Sequence, residues 1–127
     1  PPRSTLFPYT TLFRSCRSYR PEQITDEELN AVLEAGTYAP TARGQQSPII
    51  VAVQNPAVVE QLRKMNAAVL GTPEADPFYG APTVLVVLAA RDNTNRVYDG
   101  SCVMSNLMNA AKAVGRLLLG SPGQRGV

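Results

Sequence analysis

Two arginines and a serine stand close together in the run Arg17-Ser18-Tyr19-Arg20, near the start of the chain. Arginine keeps its charge and can donate two parallel hydrogen bonds to the oxygens of one anion, and a serine hydroxyl adds a further donor. This cluster could therefore hold a phosphate group. A short basic motif is more often a solvated turn, so the residue types alone leave both interpretations open.

A second group with useful side-chain chemistry lies in residues 39–48, which read APTARGQQSP. Gly44 lets a ligand or another backbone approach closely because it has no side chain. Gln45 and Gln46 each carry N–H donors and a carbonyl acceptor, a combination that can line the polar edge of a flat ring. The alternative is an ordinary polar surface loop, which the spacing alone favours.

Histidine is absent from the sequence, which excludes histidine metal sites, serine–histidine triads and histidine general bases. The two cysteines, Cys16 and Cys102, lack metal-binding or CxxC spacing and favour a reducing cytoplasm over a disulfide framework. No apolar run is long enough to span a bilayer, and the amino-terminal residues lack the apolar core of a signal peptide. We therefore expect no metal, a cytoplasmic location and no membrane association.

The formal net charge of +2 does not indicate a nucleic-acid partner. Four of the 12 basic residues lie in the terminal stretches, at Arg3, Arg14, Arg116 and Arg125, whereas all 10 acidic residues lie between positions 16 and 115. Residues 16–115 therefore carry a formal charge of −2. Nucleic-acid-binding domains carry a concentrated basic surface instead, so we expect no nucleic acid. The 127 residues suffice for one small domain.

A capped helix separates the two candidate groups. Thr25 and Glu28 stand in the spacing of a capping box, and acidic residues fill the first turn. The apolar side chains at helical spacing are Leu29, Val32 and Leu33. They predict one face turned toward a core. Gly36, followed by Pro40, is expected to end this helix, which positions the groups on either side of it.

Two apolar runs predict the strands of an α+β fold with a central sheet flanked by helices. Residues 49–53 are short, β-branched and bounded by turn residues, which is typical of a buried strand. Residues 83–89 form an unbroken apolar run, which predicts a strand buried on both faces in the middle of a sheet. A proline- and glycine-rich connection over residues 71–82 precedes the second strand.

A second helix is expected between these strands. Asn55 is its cap, Pro56 its first residue and Gly71 its end. Its predicted apolar stripe consists of Val58, Val59, Leu62, Met65 and Val69. Asn66 falls beside this stripe, where an amide needs a partner, so it either binds a ligand or faces water.

A third helix is expected over residues 97–114, and it is rich in small side chains. Such a helix can approach its neighbours closely, so it is either the spine of a core or a contact with a second subunit. Asn106 and Asn109 must find partners there.

Three blocks of the chain resemble the nitroreductase family of flavin enzymes. They are residues 17–48, PFYGAPTVLVVLAA at 77–90, and DGSCVMSNLMNAAKAVG at 99–115. The resemblance covers about residues 16–115 in order. It implies a nitroreductase-like α+β fold that is normally an intertwined homodimer, with FMN as cofactor and NAD(P)H as electron donor.

The resemblance also implies roles for individual residues. The FMN phosphate would be held by Arg17, Ser18 and Arg20. The isoalloxazine ring would lie against Pro40, Thr41, Ala42, Gly44 and Gln46, in this family often from the opposite subunit. Asn66 would match an asparagine that contacts the ribityl chain or the ring. Cys16 departs from the family, which usually has a basic residue there. No side chain is assigned a catalytic proton transfer.

Both ends of the chain depart from the pattern of the rest. The string TLFPYTTLFRS resembles a translated sequencing-adapter oligonucleotide, so residues 1–15 are interpreted as a non-native scar. Residues 116–127 break the helical pattern, and we interpret them as a frameshifted tail after a native sequence that ends at Gly115. The nitroreductase-like, FMN-binding part is then residues 16–115.

The function that these observations favour is an FMN-dependent oxidoreductase. It would transfer hydride from NAD(P)H through the flavin to a nitroaromatic, a quinone or a similar small-molecule acceptor, and it would act as a homodimer. One alternative is a binding module that holds a flavin or nucleotide without turnover. Another is an inactive fragment of the enzyme that folds poorly.

Overall fold

The computed structural model describes residues 17–115, which form three α-helices and two β-strands. In chain order these are α1 (Asp26–Thr37), β1 (Ile49–Val53), α2 (Pro56–Val69), β2 (Val84–Leu88) and α3 (Arg96–Ala113). The mixture of helices with a small antiparallel sheet confirms the predicted α+β class. The interpretations of residues 1–15 and 116–127, and that of Cys16, lie outside the described residues.

Helix α1 begins where its cap predicts. The Thr25 hydroxyl oxygen accepts a hydrogen bond from the Glu28 N–H at 3.2 Å, and the Glu28 carboxylate accepts one from the Thr25 N–H at 3.1 Å. This reciprocal pair is the capping box that the sequence predicts. Leu29 and Val32 are buried, as their spacing requires.

The predicted end of α1 is wrong at Gly36. The helix continues to Thr37, and Gly36 is buried inside it. A Cβ atom at position 36 would lie 2.6 Å from the Ile50 side chain and 2.7 Å from the Leu107 side chain. Gly36 is therefore the point at which three elements approach too closely for a side chain, rather than a helix stop.

Strands β1 and β2 pair antiparallel, with Ile49 opposite Leu88 at one end and Val53 opposite Val84 at the other. Both strands lie where the sequence predicts them. Their predicted burial is wrong, because Ile49 is 61% exposed and Leu88 is 51% exposed. The sheet has two strands within the described residues, and the core covers one of its faces.

The core lies between α1, α3 and the covered face of the sheet. Its buried members are Val32, Ala39, Val103, Leu107 and Ala111. Side chains from both strands, among them Ile50, Leu85 and Val87, pack against this cluster. Burial recurs every four residues along α3, which makes that helix the spine of the core.

The asparagines of α3 have different surroundings. The Asn106 amide nitrogen donates to the Ala35 carbonyl oxygen at 2.9 Å, which ties α3 to α1. Asn109 is exposed to solvent. The requirement for a buried partner is thus met at Asn106 and does not arise at Asn109.

Helix α2 has the predicted cap but not the predicted buried stripe. The Asn55 carboxamide oxygen accepts from the N–H groups of Ala57 at 2.9 Å and Val58 at 3.4 Å. Met65 and Val69 are 64% and 68% exposed, and the one fully buried side chain of this helix is that of Ala67. The apolar stripe is only partly covered by other described residues. No helix among residues 17–115 has the length and apolarity of a membrane span.

A pair of charged side chains fastens α2 to the connection that follows it. Arg63 donates two hydrogen bonds of 2.7 Å to the Glu60 carboxylate and a third, of 3.0 Å, to the Ala75 carbonyl oxygen. The hydrogen bond from Arg63 lowers the pKa of Glu60, and the same contact raises the pKa of Arg63. Lys64 also forms an ion pair with the Glu60 carboxylate, at 3.7 Å.

Candidate functional site

The loop between α1 and β1 has an unusual backbone. Arg43, Gly44 and Gln46 have φ angles of 56°, 64° and 49°, in the left-handed region. Glycine adopts this conformation readily, but other residues lose roughly 1–2 kcal/mol each. The Thr41 hydroxyl oxygen accepts a hydrogen bond of 2.9 Å from the Gln46 N–H, which closes the loop. The loop is therefore a defined, strained turn.

Two polar residues near the start of α3 hold the loop at both ends. The Ala42 N–H donates to Asp99 Oδ1 at 2.8 Å. The Asn93 amide nitrogen donates to Asp99 Oδ2 and to the Ser47 hydroxyl oxygen, each at 2.9 Å. Sequence reasoning missed Asp99 and Asn93 as site residues. The sequence did contain an indication of Asp99, because it is the single acidic residue in a helix rich in small side chains. If such a helix is buried, its carboxylate must find hydrogen-bond donors.

The loop presents polar side chains to solvent. Pro40, Gly44 and Gln46 are exposed, and Thr41 and Ala42 are half-buried. The Gln46 amide nitrogen lies 3.4 Å from the Ala39 carbonyl oxygen, a long hydrogen bond. The structure thus gathers all five predicted ring-contacting residues in one turn.

An open pocket of about 440 Å³ lies beside this turn. It is lined by Leu33, Gly36, Thr37, Gln46, Pro48, Ile50 and Val103. The lining is mainly apolar and includes one amide-bearing residue, Gln46, and the volume falls within the range of small-molecule sites. Such a pocket can take the face of a flat ring while an amide bonds its edge.

The arginine motif lies before α1, on a segment without helix or strand. Arg17, Ser18 and Arg20 are exposed. The backbone between them is tied to the connection before β2, because the Tyr19 N–H donates to the Tyr79 carbonyl oxygen at 3.2 Å. Both ion pairs among residues 17–115 involve Glu60, so neither arginine has a carboxylate partner within that part of the chain.

A polar cluster fixes the segment that follows the arginines. The Gln23 amide nitrogen donates to the Pro82 carbonyl oxygen at 2.9 Å, and the Thr83 hydroxyl donates to Gln23 Oε1 at 2.6 Å. The Gln54 amide nitrogen donates to the Thr83 hydroxyl oxygen at 3.2 Å. Gln54 follows β1 and Thr83 precedes β2, so this cluster holds the segment at one end of the sheet.

The anchors of the two candidate groups lie at opposite ends of the sheet. The loop leads into Ile49, which pairs with Leu88, whereas the arginine segment is held beyond the pair of Val53 with Val84. Four strand steps separate these ends, about 13 Å at the usual rise per residue. In one copy of the chain, the predicted ring-contacting residues therefore lie at one end of the sheet, and the segment with the predicted phosphate-binding residues is anchored at the other.

Asn66 belongs to neither group. Its amide nitrogen donates to the Leu62 carbonyl oxygen at 2.9 Å within α2, and its side chain is half-buried. One N–H of the side chain is thus used by its own helix, while the second N–H and the carbonyl oxygen remain for a ligand or for water, so both interpretations of Asn66 stay open. Residues 17–115 contain no cluster of acidic or cysteine side chains that could hold a metal ion.

The chain matches the model of the nitroreductase family over residues 14–119. Among solved structures, it is similar to a Bacteroides fragilis nitroreductase with bound FMN, at 26% identity and a TM-score of 0.78, over 87% of this chain and 65% of that one. An FMN-dependent nitroreductase from Clostridium difficile has 28% identity and a TM-score of 0.71, over 80% of this chain and 52% of that one. A Desulfitobacterium hafniense nitroreductase with bound FMN has 25% identity and a TM-score of 0.72, over 80% and 61%. The chain thus spans between about half and two thirds of the length of these structures.

Proposed function

The chain belongs to the nitroreductase family, and from that premise we propose that the protein is an FMN-dependent oxidoreductase. In this proposal it transfers hydride from NAD(P)H to a nitroaromatic, a quinone or a similar small acceptor. FMN, when bound, supplies the redox chemistry, and the protein supplies binding and orientation. The observation that carries the proposal is the strained turn beside a pocket, at the position that the family resemblance assigns to the flavin ring.

The residues present fit the two ends of FMN. Arg17 and Arg20 are exposed guanidiniums without a carboxylate partner among residues 17–115, so their donors are available to a phosphate. At the other end, Gly44 leaves open space around its backbone, and Gln46 lines the pocket. The exposed cation of Arg43 would stabilise negative charge on a ring bound at this turn.

We infer that the complete site is shared between two copies of the chain. The anchors of the phosphate-binding and ring-contacting groups lie at opposite ends of one sheet. A second copy could bring its turn to the arginines of the first. The exposed apolar side chains of Ile49 and Leu88 on the uncovered sheet face are consistent with a surface that becomes buried in such an assembly.

The absorption spectrum of the purified protein is the first test. An FMN-binding protein is yellow as isolated or after incubation with FMN and gel filtration. The enzyme would then oxidise NADH or NADPH in the presence of a nitroaromatic acceptor. Colour without turnover would support a non-catalytic binding module, and failure of a folded protein to retain FMN would contradict the proposal.

A further inference from the structure

Asp99 is the one buried charged side chain among the described residues, with 3% of its surface exposed. Removing a carboxylate from water is costly unless hydrogen bonds replace the lost hydration. Asp99 receives two such bonds, from the Ala42 N–H and from the Asn93 amide. Its place in the first turn of α3 is also favourable for a negative charge. An apolar residue at position 99 would avoid this cost. We therefore look for the role of the carboxylate in its two partners, the Ala42 N–H and the Asn93 amide.

Asp99 and Asn93 form one clamp with the turn. The Asn93 amide is fully used, since its oxygen accepts from the Asn95 N–H at 2.9 Å and its nitrogen donates to Asp99 and Ser47. The clamp therefore contacts the turn at Ala42 and at Ser47. These two contacts lie on either side of Arg43, Gly44 and Gln46, the residues of the turn that have positive φ angles.

The strained backbone explains why the turn needs to be held at both ends. Arg43 and Gln46 are in a conformation that side-chain-bearing residues avoid, and it persists only where the surroundings impose it. Within the turn, the bond from the Gln46 N–H to the Thr41 hydroxyl closes the backbone on itself. The clamp adds the connections that orient this closed turn relative to α3 and the pocket.

We propose that Asp99 is a positioning residue that holds residues 42–47, directly at Ala42 and through Asn93 at Ser47, in the shape that receives the flavin ring. This inference rests on the proposed function. Without the clamp the turn relaxes toward ordinary backbone angles and must be ordered again when FMN binds. That ordering weakens binding, because the cost is taken from the binding free energy.

The test compares Asp99→Asn with the exchanged pair Asp99→Asn/Asn93→Asp. In the single variant the new amide at position 99 can still accept from Ala42, but its nitrogen faces the Asn93 nitrogen, so two donors oppose each other. In the exchanged pair the amide at position 99 donates to the carboxylate at position 93. That carboxylate still accepts from the Asn95 N–H, and the Ser47 hydroxyl turns to donate to it. The exchange therefore restores every donor–acceptor pair.

Two measurements on the whole 127-residue chain report on the turn and on ligand binding separately. Hydrogen–deuterium exchange without FMN reports the amides of residues 42–47, and fluorescence titration reports FMN affinity. We expect Asp99→Asn to speed exchange and to weaken FMN binding, each about tenfold, and the exchanged pair to return both to within about threefold of wild type. Asn109→Ala, at an exposed position of the same helix, should change neither value.

The outcomes separate the clamp from the proposed function. Unchanged exchange in folded Asp99→Asn protein overturns the clamp, and faster exchange with unaltered FMN affinity overturns the positioning role. If the wild type binds no FMN while Asp99→Asn speeds exchange, the clamp stands and the proposed function fails. Should Asp99→Asn not fold, Ser47→Ala releases one end of the turn only. Exchange at residues 45–47 is then expected to rise about threefold, and no rise overturns the clamp.

Discussion

Arg17 and Arg20 are exposed side chains on a segment without helix or strand, so their use to a ligand depends on how the backbone beneath them is held. The structure holds it by the bond from Tyr19 to Tyr79 and by the polar cluster around Gln23. A tethered segment loses less conformational freedom when it binds an anion. The position of these anchors is thus as relevant to the proposed phosphate binding as the guanidiniums themselves.

The role of the arginines can be tested with a ligand that lacks the phosphate. We expect Arg17→Gln or Arg20→Gln to weaken FMN binding by about 10- to 100-fold, because each removes charge-assisted hydrogen bonds to phosphate. Binding of riboflavin, which has no phosphate, should change less than about twofold. Fluorescence titration with both ligands measures the difference. Arg91→Gln, an exposed position outside the site, is the control, and equal losses for both ligands would argue against phosphate recognition.

At the scale of the elements, the approach of α1 to β1 and α3 is set by the missing side chain of Gly36. The nearest atoms to a Cβ there belong to Ile50 and Leu107, the latter fully buried in the core. A helix with a larger residue at this position would have to move away from the sheet. Gly36 and Ile50 also line the pocket beside the turn, so the shape of the pocket depends on this contact.

Gly36→Ala should therefore destabilise the protein by about 1–3 kcal/mol through overpacking, despite the better helix propensity of alanine. Gly100→Ala is the matched control, since Gly100 lies inside α3 and a Cβ there meets nothing within 4 Å. That control should be neutral or more stable by up to about 1 kcal/mol. Urea unfolding of both variants measures the change. A Gly36→Ala protein as stable as the control variant would refute the close-packing argument.

The contact between α2 and the following connection should depend on pH. The hydrogen bond from Arg63 lowers the folded-state pKa of Glu60, so the bond contributes stability above the unfolded-state pKa of this glutamate. That contribution is lost as the pH falls through the lowered folded-state pKa. We expect Glu60→Gln to be less stable than wild type at neutral pH, with a difference that disappears in acid. Gln61→Glu, which changes an exposed neighbouring position, is the comparison variant. A stability difference between Glu60→Gln and wild type that persists unchanged in acid would contradict the assignment of the lowered pKa to Glu60.

At the scale of the whole molecule, the two halves of the proposed site are anchored about one strand length apart. If two copies share each site, defects placed on different chains should complement each other. In a mixed dimer of Arg17→Gln/Arg20→Gln with Gly44→Val, one site carries both defects and the other carries neither. Gly44→Val is suited to this use because a β-branched residue strongly disfavours a φ of 64°.

We expect the two variants, unfolded together and refolded as a mixture, to regain about a quarter of the wild-type FMN sites, because random pairing makes half of the dimers mixed. Each variant refolded alone should stay near its own low value. FMN retained after gel filtration, measured with the molar mass of the eluted species, gives the result. Absence of recovery in a mixture that does form dimers would place each site within one chain.

The features that could be read from the linear order of residues depend on short-range interactions. The caps join residues only two or three positions apart, as in the capping box of α1 and the Asn55 cap of α2. Each strand likewise coincides with a short apolar run. The local pattern of side chains was therefore sufficient to predict these features. The family pattern predicts that Pro40, Thr41, Ala42, Gly44 and Gln46 contact the flavin ring, and this role stays a prediction. The structure shows that they lie in one turn.

The clamp on that turn joins Ala42 to Asp99 and Ser47 to Asn93, partners 57 and 46 positions apart. Nothing in local spacing connects such residues; they meet because α1 and α3 pack against one face of the sheet. The same packing turns Gly36 into a contact point and leaves Ile49 and Leu88 uncovered. Burial and long-range hydrogen bonding are properties of how elements are arranged in space, and two strands of identical sequence can be covered or bare depending on what lies against them.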